Sequence, residues 1–176
     1  SIYERYLGST IRVTPQRVKV EEKPEVKKAG GVFYTPTYIV EYIVKQTIGK
    51  MIEGKSPDDL VGASEKTPNA RAFFQTPLRV LDPACGSGSF LLGAYQLLLD
   101  HCLNWYAAHR DDKQSKGKIY ESATGWRLAT TEKKRILTTH IFGVDIDRQA
   151  VEVTIMSLYL KMLEGRLPPN WQDEWL

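Results

Sequence analysis

The order of elements in this sequence predicts an α/β chain with a parallel sheet flanked by helices, on three observations. Leu78 to Leu81 is a short apolar run that ends at Asp82, with Gly86 and Gly88 just beyond it. From Ser89 the pattern becomes helical and almost uniformly apolar through Phe90, Leu91, Leu98 and Leu103, as in a buried helix. His140 to Asp145 is a second short strand ending in an acid, and another helical stripe follows it. Strands that alternate with helices in this way are joined as right-handed βαβ units.

Taken in order, Ser1 to Gly8 reads as a short amphipathic piece, and Ile11 to Val20 alternates in a β-leaning manner around Pro15. Glu21 to Lys28 is charged, contains Pro24 and reads as a linker, so residues 1–28 form an arm and residues 29–176 a domain. Gly30-Gly31 breaks the chain before Val32-Phe33-Tyr34. Thr35-Pro36 is a helix start, with threonine as N-cap and proline at the first helical position. The stripe Ile39, Val40, Ile43, Val44 and Ile48 carries that helix towards Gly54. Lys55 to Thr76 and Arg110 to Ala129 are polar and irregular, so both read as loops, and Thr131 to Leu137 as a short helix. Asp147 caps the last helix, which carries Val151, Ile155, Met156, Leu158, Tyr159 and Met162 and closes at Gly165, Pro168 and Pro169.

Composition bounds the function. The 176 residues are 42% hydrophobic and 26% charged, which excludes wholesale disorder and allows one buried core. Two cysteines, Cys85 and Cys102, cannot build a disulfide scaffold, and no Cys/His spacing fits a zinc site. No apolar run approaches the ~20 residues of a membrane span, so a cytoplasmic protein with no membrane partner is expected. The net charge of +3 resides wholly in Ser1 to Lys28; a basic arm can touch nucleic acid, but seven Lys/Arg against four Asp/Glu more often mark a solvated surface segment. The chain opens at Ser1 and stops just after Trp171 and Trp175; two large apolar side chains there point to a missing surface, and a piece of something longer is expected.

The densest chemical signal is Leu81-Asp82-Pro83-Ala84-Cys85-Gly86-Ser87-Gly88-Ser89-Phe90. Its glycines let a ligand approach the main chain, and the helix start offers free N–H groups. It is neither common phosphate loop, because no lysine lies between Arg79 and Arg110 and Leu91 occupies the place of a third glycine. Asp82 would repel a pyrophosphate and suit an ammonium group; its plainer role is to cap the turn. In Gly143-Val144-Asp145-Ile146-Asp147 the strand-end acid Asp145 can accept both hydroxyls of a ribose. Asp145 lies 63 residues after Asp82, far beyond the roughly 20 of a dinucleotide unit, and the polar insertion Arg110 to Ala129 must account for the excess.

With those residues in view, Asp-Pro-Ala-Cys-Gly-Ser-Gly-Ser-Phe resembles the S-adenosylmethionine-binding turn of N6-adenine DNA methyltransferases of restriction–modification systems. Gly31-Val32-Phe33-Tyr34-Thr35-Pro36 is similar to the segment before that turn, and Gly143 to Asp147 to the family's ribose-binding strand end. Ile2-Tyr3-Glu4-Arg5-Tyr6-Leu7-Gly8 looks like the lead-in of the large single-chain methyltransferase–endonuclease type. The resemblance implies an incomplete Rossmann-like S-adenosylmethionine-dependent methyltransferase fold. It implies that Tyr34 and Thr35 hold the methionine carboxylate and Asp82 the ammonium. Ala84, Gly86 and Gly88 would let the cofactor lie on the main chain, Asp145 would take the ribose, and Ile146 would pack on the adenine.

The family's catalytic signature, Asn/Asp-Pro-Pro-Tyr/Phe, is missing. Pro168-Pro169-Asn170-Trp171 has the wrong order, follows a helix and reads as a helix terminator. The expected chain is thus the cofactor-binding half of a DNA adenine-N6 methyltransferase, without its C-terminal half and target-recognition region, inactive alone and meeting double-stranded DNA only through the full-length parent. A protein-glutamine methyltransferase shares much of the turn, but the Thr35-Pro36 segment speaks against it. A non-catalytic nucleotide-binding module is disfavoured by Asp82 and the absent third glycine. His101, His109 and His140 are scattered and read as surface or strand residues, Cys85 as small-residue packing, and Trp105 and Trp126 as core or partner surface.

Overall fold

The two short runs that end in acids do pair, and they pair in parallel. In the computed structural model, which describes residues 9–22, 35–62 and 76–164, β3 (Val80–Asp82) lies beside β6 (Ile141–Gly143) with Val80 opposite Ile141 and Asp82 opposite Gly143. The glycine turn after Asp82 and the turn that carries Asp145 therefore emerge at one edge. The strands are shorter than the periodicity predicts. His140 closes the preceding helix, and Val144 and Asp145 already belong to the turn.

Ahead of this sheet stand β1 (Ser9–Thr14) and β2 (Arg17–Glu22), an antiparallel hairpin with Pro15 in its turn. Glu21 and Glu22 thus belong to a strand and not to a linker. The pairs Ile11/Val20 and Val13/Val18 share one face and are exposed. Helix α1 (Thr37–Val44) starts one residue later than expected: Pro36 is the N-cap, because its ψ of 142° keeps it outside the helix while its carbonyl accepts from Ile39 and Val40. The helix continues through a π-helical stretch, Lys45–Gly49, and a closing turn, Lys50–Ile52, before Gly54. The segment read as a loop from Lys55 holds one helical turn, α2 (Pro57–Val61). Ser56 accepts from the Asp59 N–H, and Asp59 accepts in return from the Ser56 N–H, a reciprocal cap legible as Ser-Pro-Asp-Asp. Ser1 to Gly8, the Lys23 to Tyr34 segment, residues 63–75 and everything from Gly165 on, including Pro168-Pro169-Asn170-Trp171 and Trp175, lie outside the described residues.

Helix α3 (Ser89–Ala108) is the centre of the core. Leu91, Tyr95, Leu98, Cys102 and Tyr106 recur at helical spacing and are buried, each buried leucine contributing about 2 kcal/mol by removal from water. Val40 and Val44 of α1, Leu60 of α2, Ile136 and Leu158 complete that core. The polar insertion is not irregular: it folds into a second hairpin, β4 (Ile119–Ser122) and β5 (Gly125–Leu128), with Leu128 buried and the Ala129 N–H on the Lys118 carbonyl at 2.8 Å. Helix α4 (Thr130–His140) follows, three residues longer at its end than the sequence suggests. Helix α5 (Arg148–Leu163) is capped by Asp147, whose carboxylate accepts from the Gln149 N–H at 2.9 Å.

The expectation of helices on both sheet faces needs correction. Among the described residues the helices cover the Val80/Ile141 face, while the register partners Leu81 and Phe142 on the other face are 61% and 39% exposed. On α5 the side turned inward is Ala150, Thr154 and Leu158, and Ile155, Met156, Tyr159 and Leu160 are exposed. No described helix is long and apolar enough to cross a membrane.

His140 joins the two strands. It is buried, and its Nδ1 lies 2.7 Å from the Leu78 carbonyl, so Nδ1 carries the proton. Burial lowers its pKa, outweighing the Leu78 bond that favours the charged form. The unfolded chain therefore binds this proton more readily, and stability should fall as pH drops below about 6.5. Urea unfolding of wild type and His140→Gln from pH 7.5 to 5.5 should show a flatter profile for the variant.

Candidate functional site

Two loops leave the carboxyl ends of β3 and β6, the edge at which open parallel sheets bind ligands. They are laced together by main-chain bonds: the Val144 N–H donates to the Asp82 carbonyl and the Cys85 N–H to the Val144 carbonyl, each at 2.9 Å. Asp82 turns the chain by accepting the Ala84 N–H on Oδ1 at 3.1 Å, so its plain capping role is real and occupies one of its oxygens. The Gly88 N–H then closes on the Cys85 carbonyl at 2.8 Å, and α3 begins.

The two glycines are needed for different reasons. Both take positive φ, 52° at Gly86 and 83° at Gly88, where side chains are strained. A Cβ on Gly86 would meet nothing within 4 Å and would project into open space. A Cβ on Gly88 would lie 2.7 Å from Cγ2 of Thr154, so here the missing side chain admits helix α5. Gly86 is held at both ends of its backbone. Its N–H donates to Asp145 Oδ2 at 2.8 Å, and its carbonyl accepts the Thr154 hydroxyl at 2.8 Å.

Asp145 is not merely a solvated strand-end acid. Its Oδ1 also accepts the Asp147 N–H at 2.8 Å, so the half-buried carboxylate bridges the two turns. Each oxygen retains a second lone pair for a ligand hydroxyl. Beside it Ile146 is 99% exposed, an apolar side chain without cover at the mouth of the site. Cys85 is buried under the turn, and burial, then the charges of Asp145 and Asp82, push its thiol pKa up, as packing rather than nucleophilic duty requires.

Asp82, Ala84, Gly86, Gly88, Asp145 and Ile146 are thus gathered on one edge. Asp82 also lines a cleft of about 320 Å³ with Leu81, Pro83, Phe90, Ile43 of α1 and Thr47 of the π-helical stretch. Thr35 is half-buried and leads into Thr37, which shares a cleft of about 410 Å³ with Ser89 and Gly93; among the described residues no hydrogen bond ties Thr35 to the glycine turn. Tyr34 lies outside the described residues. Thr154 escaped the sequence reading, since one threonine among apolar helix positions carries no signal of a contact 68 residues upstream.

Fold and site together define an α/β protein in which a glycine turn and two carboxylates, Asp82 and Asp145, meet at the carboxyl ends of parallel strands. Residues 69–166 match the MmeI DNA-methyltransferase domain family, and the chain belongs to that family. It is 30% identical over 166 residues to the type II restriction enzyme and methyltransferase RM.Eco57I of Escherichia coli, covering 94% of this chain and 15% of that protein. It is also 30% identical over 154 residues to the adenine-specific methyltransferase BrxX of Escherichia coli O9:H4 (strain HS), covering 78% of this chain and 11% of the relative. The chain spans less than a sixth of the length of each of these relatives.

Proposed function

We propose that this chain is the S-adenosylmethionine-binding part of a site-specific DNA adenine-N6 methyltransferase of a restriction–modification enzyme. In this reading residues 29–176 are the N-terminal part of a Rossmann-like methyltransferase domain and residues 1–28 an arm leading into it. The parent supplies the catalytic loop, the target-reading region and the contact with double-stranded DNA. The observation that carries the reading is the open Gly86 turn, held by Asp145 and Thr154 and preceded by Asp82 at the end of β3.

The donor set suits this cofactor. Asp82 keeps acceptor capacity beyond its bond to Ala84 and would hold the methionine ammonium. Asp145 would accept the ribose hydroxyls through its remaining lone pairs. Ile146 would cover one face of the adenine and lose its exposure in doing so. Ala84, Gly86 and Gly88 would bring the main chain into contact, and Tyr34 and Thr35 would hold the methionine carboxylate. The cofactor supplies a methyl group made electrophilic by its sulfonium. The chain's own work is orientation, which holds that group in line for transfer.

Calorimetric titration with S-adenosylhomocysteine, and with NADH as control, tests the reading. This chain alone should bind S-adenosylhomocysteine weakly at most, so the titration is read most clearly in the full-length parent. Selective uptake is expected there, and Asp145→Ala should weaken it by about tenfold to a hundredfold, the loss of hydrogen bonds to a charged acceptor. Selective NADH binding, or an Asp145→Ala variant that binds as wild type does, would sink it. In the parent, methyl transfer to adenine in duplex DNA and not to protein is expected.

A further inference from the structure

A threonine inside a helix ordinarily satisfies its hydroxyl on a carbonyl one turn back. Thr154 does otherwise. Lying on the inward side of α5 and 4% exposed, it donates to the Gly86 carbonyl at 2.8 Å. Its Cγ2 and Oγ1 stand 2.7 and 2.8 Å from where a Cβ of Gly88 would be, so one side chain abuts both glycines of the turn. The Gly86 N–H meanwhile donates to Asp145 on the loop that starts the same helix. The β6–α5 unit therefore grips both hydrogen-bonding groups of Gly86, and the residue has no rotational freedom left except by breaking one of them.

We infer that Thr154 is a positioning residue: through its hydroxyl it sets the orientation of the Gly86 peptide and so the shape of the cradle that receives the adenosyl part of the cofactor. The inference rests on the cofactor reading for its consequence, but its geometry stands without a ligand. Coupling runs in one direction through covalent continuity. Asp147 caps α5, α5 carries Thr154, and Thr154 holds the turn that Asp145 holds from the other side. A shift of α5 along its axis would carry Thr154, and with it the bond to the Gly86 carbonyl.

The test compares Thr154→Val, nearly isosteric but without the hydroxyl, with Thr154→Ser, which keeps it. Amide hydrogen exchange of the chain without cofactor should be about tenfold faster at Gly86 and Gly88 in Thr154→Val, with Leu98 and Leu99 in the core helix unchanged. Thr154→Ser should match wild type. The affinity of the full-length parent for S-adenosylhomocysteine should drop by about tenfold in the valine variant alone, the size of one lost hydrogen bond. Should valine unfold the chain, Thr154→Ala makes the same comparison. Unchanged exchange at Gly86 and Gly88 in Thr154→Val, or a serine variant as loose as the valine one, would overturn the inference. If the exchange pattern is as expected but the wild-type parent takes up no S-adenosylhomocysteine, the positioning role stands and the cofactor reading fails.

Discussion

Glu132→Ala is expected to lower stability by about 3 kcal/mol, read as a drop in the urea unfolding free energy. Glu132 is 1% exposed in the first turn of α4, and three elements converge on its carboxylate. The Tyr106 hydroxyl donates at 2.9 Å from α3, Lys118 Nζ at 2.8 Å from the foot of the β4–β5 hairpin, and Arg135 Nε at 3.0 Å from the next turn of α4. Removing the acid leaves two cations and a buried hydroxyl without their acceptor. The expected loss sits at the low end for a broken buried pair because Lys118 and Arg135 keep 35% and 26% of their side-chain surface in solvent. Burial alone would raise this carboxyl's pKa, but the Arg135 and Lys118 hydrogen bonds outweigh it and hold it down to about 2. The folded value is below the unfolded one, so this stabilisation is complete above about pH 4.5 and is lost as pH falls from there towards 2. Glu132→Gln should remove that acid-range dependence while losing less stability than alanine. A loss under about 1 kcal/mol for Glu132→Ala would mean that water screens the cluster.

Gly88→Ala should be nearly as damaging, and Gly86→Ala should not. At Gly88 the added methyl combines a positive φ of 83° with a position 2.7 Å from Thr154 Cγ2, inside a packed helix contact. Backbone strain and overpacking together amount to about 3 kcal/mol. At Gly86 the same methyl meets open space, so only the strain of a φ of 52° remains, about 1 kcal/mol. The two variants should separate in opposite ways: Gly88→Ala in thermal unfolding, Gly86→Ala in uptake of S-adenosylhomocysteine, because its methyl occupies the cradle while the fold survives. Equal unfolding temperatures for the two would show that α5 can retreat from Gly88.

The sequence by itself determined the local pieces on which the site is built. One strand ends in Asp82 and the other is followed two residues on by Asp145, Asp147 caps its helix, and the stretch from Ser89 is buried, because apolar periodicity, capping chemistry and glycine turns act within a few residues of one another. The glycine turn after Asp82 and the acid that follows Gly143-Val144 were legible for the same reason, and the family match agrees with the resemblance those motifs carry. Short-range reasoning failed where the decisive contact was distant or the signal weak. The hairpin inside Arg110 to Ala129 has only four residues per strand, too few to show alternation, and is pinned by Lys118 reaching a glutamate on the next helix. The burial of Glu132 has no local signal, since its carboxylate accepts from a tyrosine 26 residues upstream. Thr154 and the second role of Asp145 existed only once β3 and β6 lay side by side. Tertiary structure alone decided these, because hydrogen bonds and close packing select partners by distance in space, which a linear pattern of residue types does not encode.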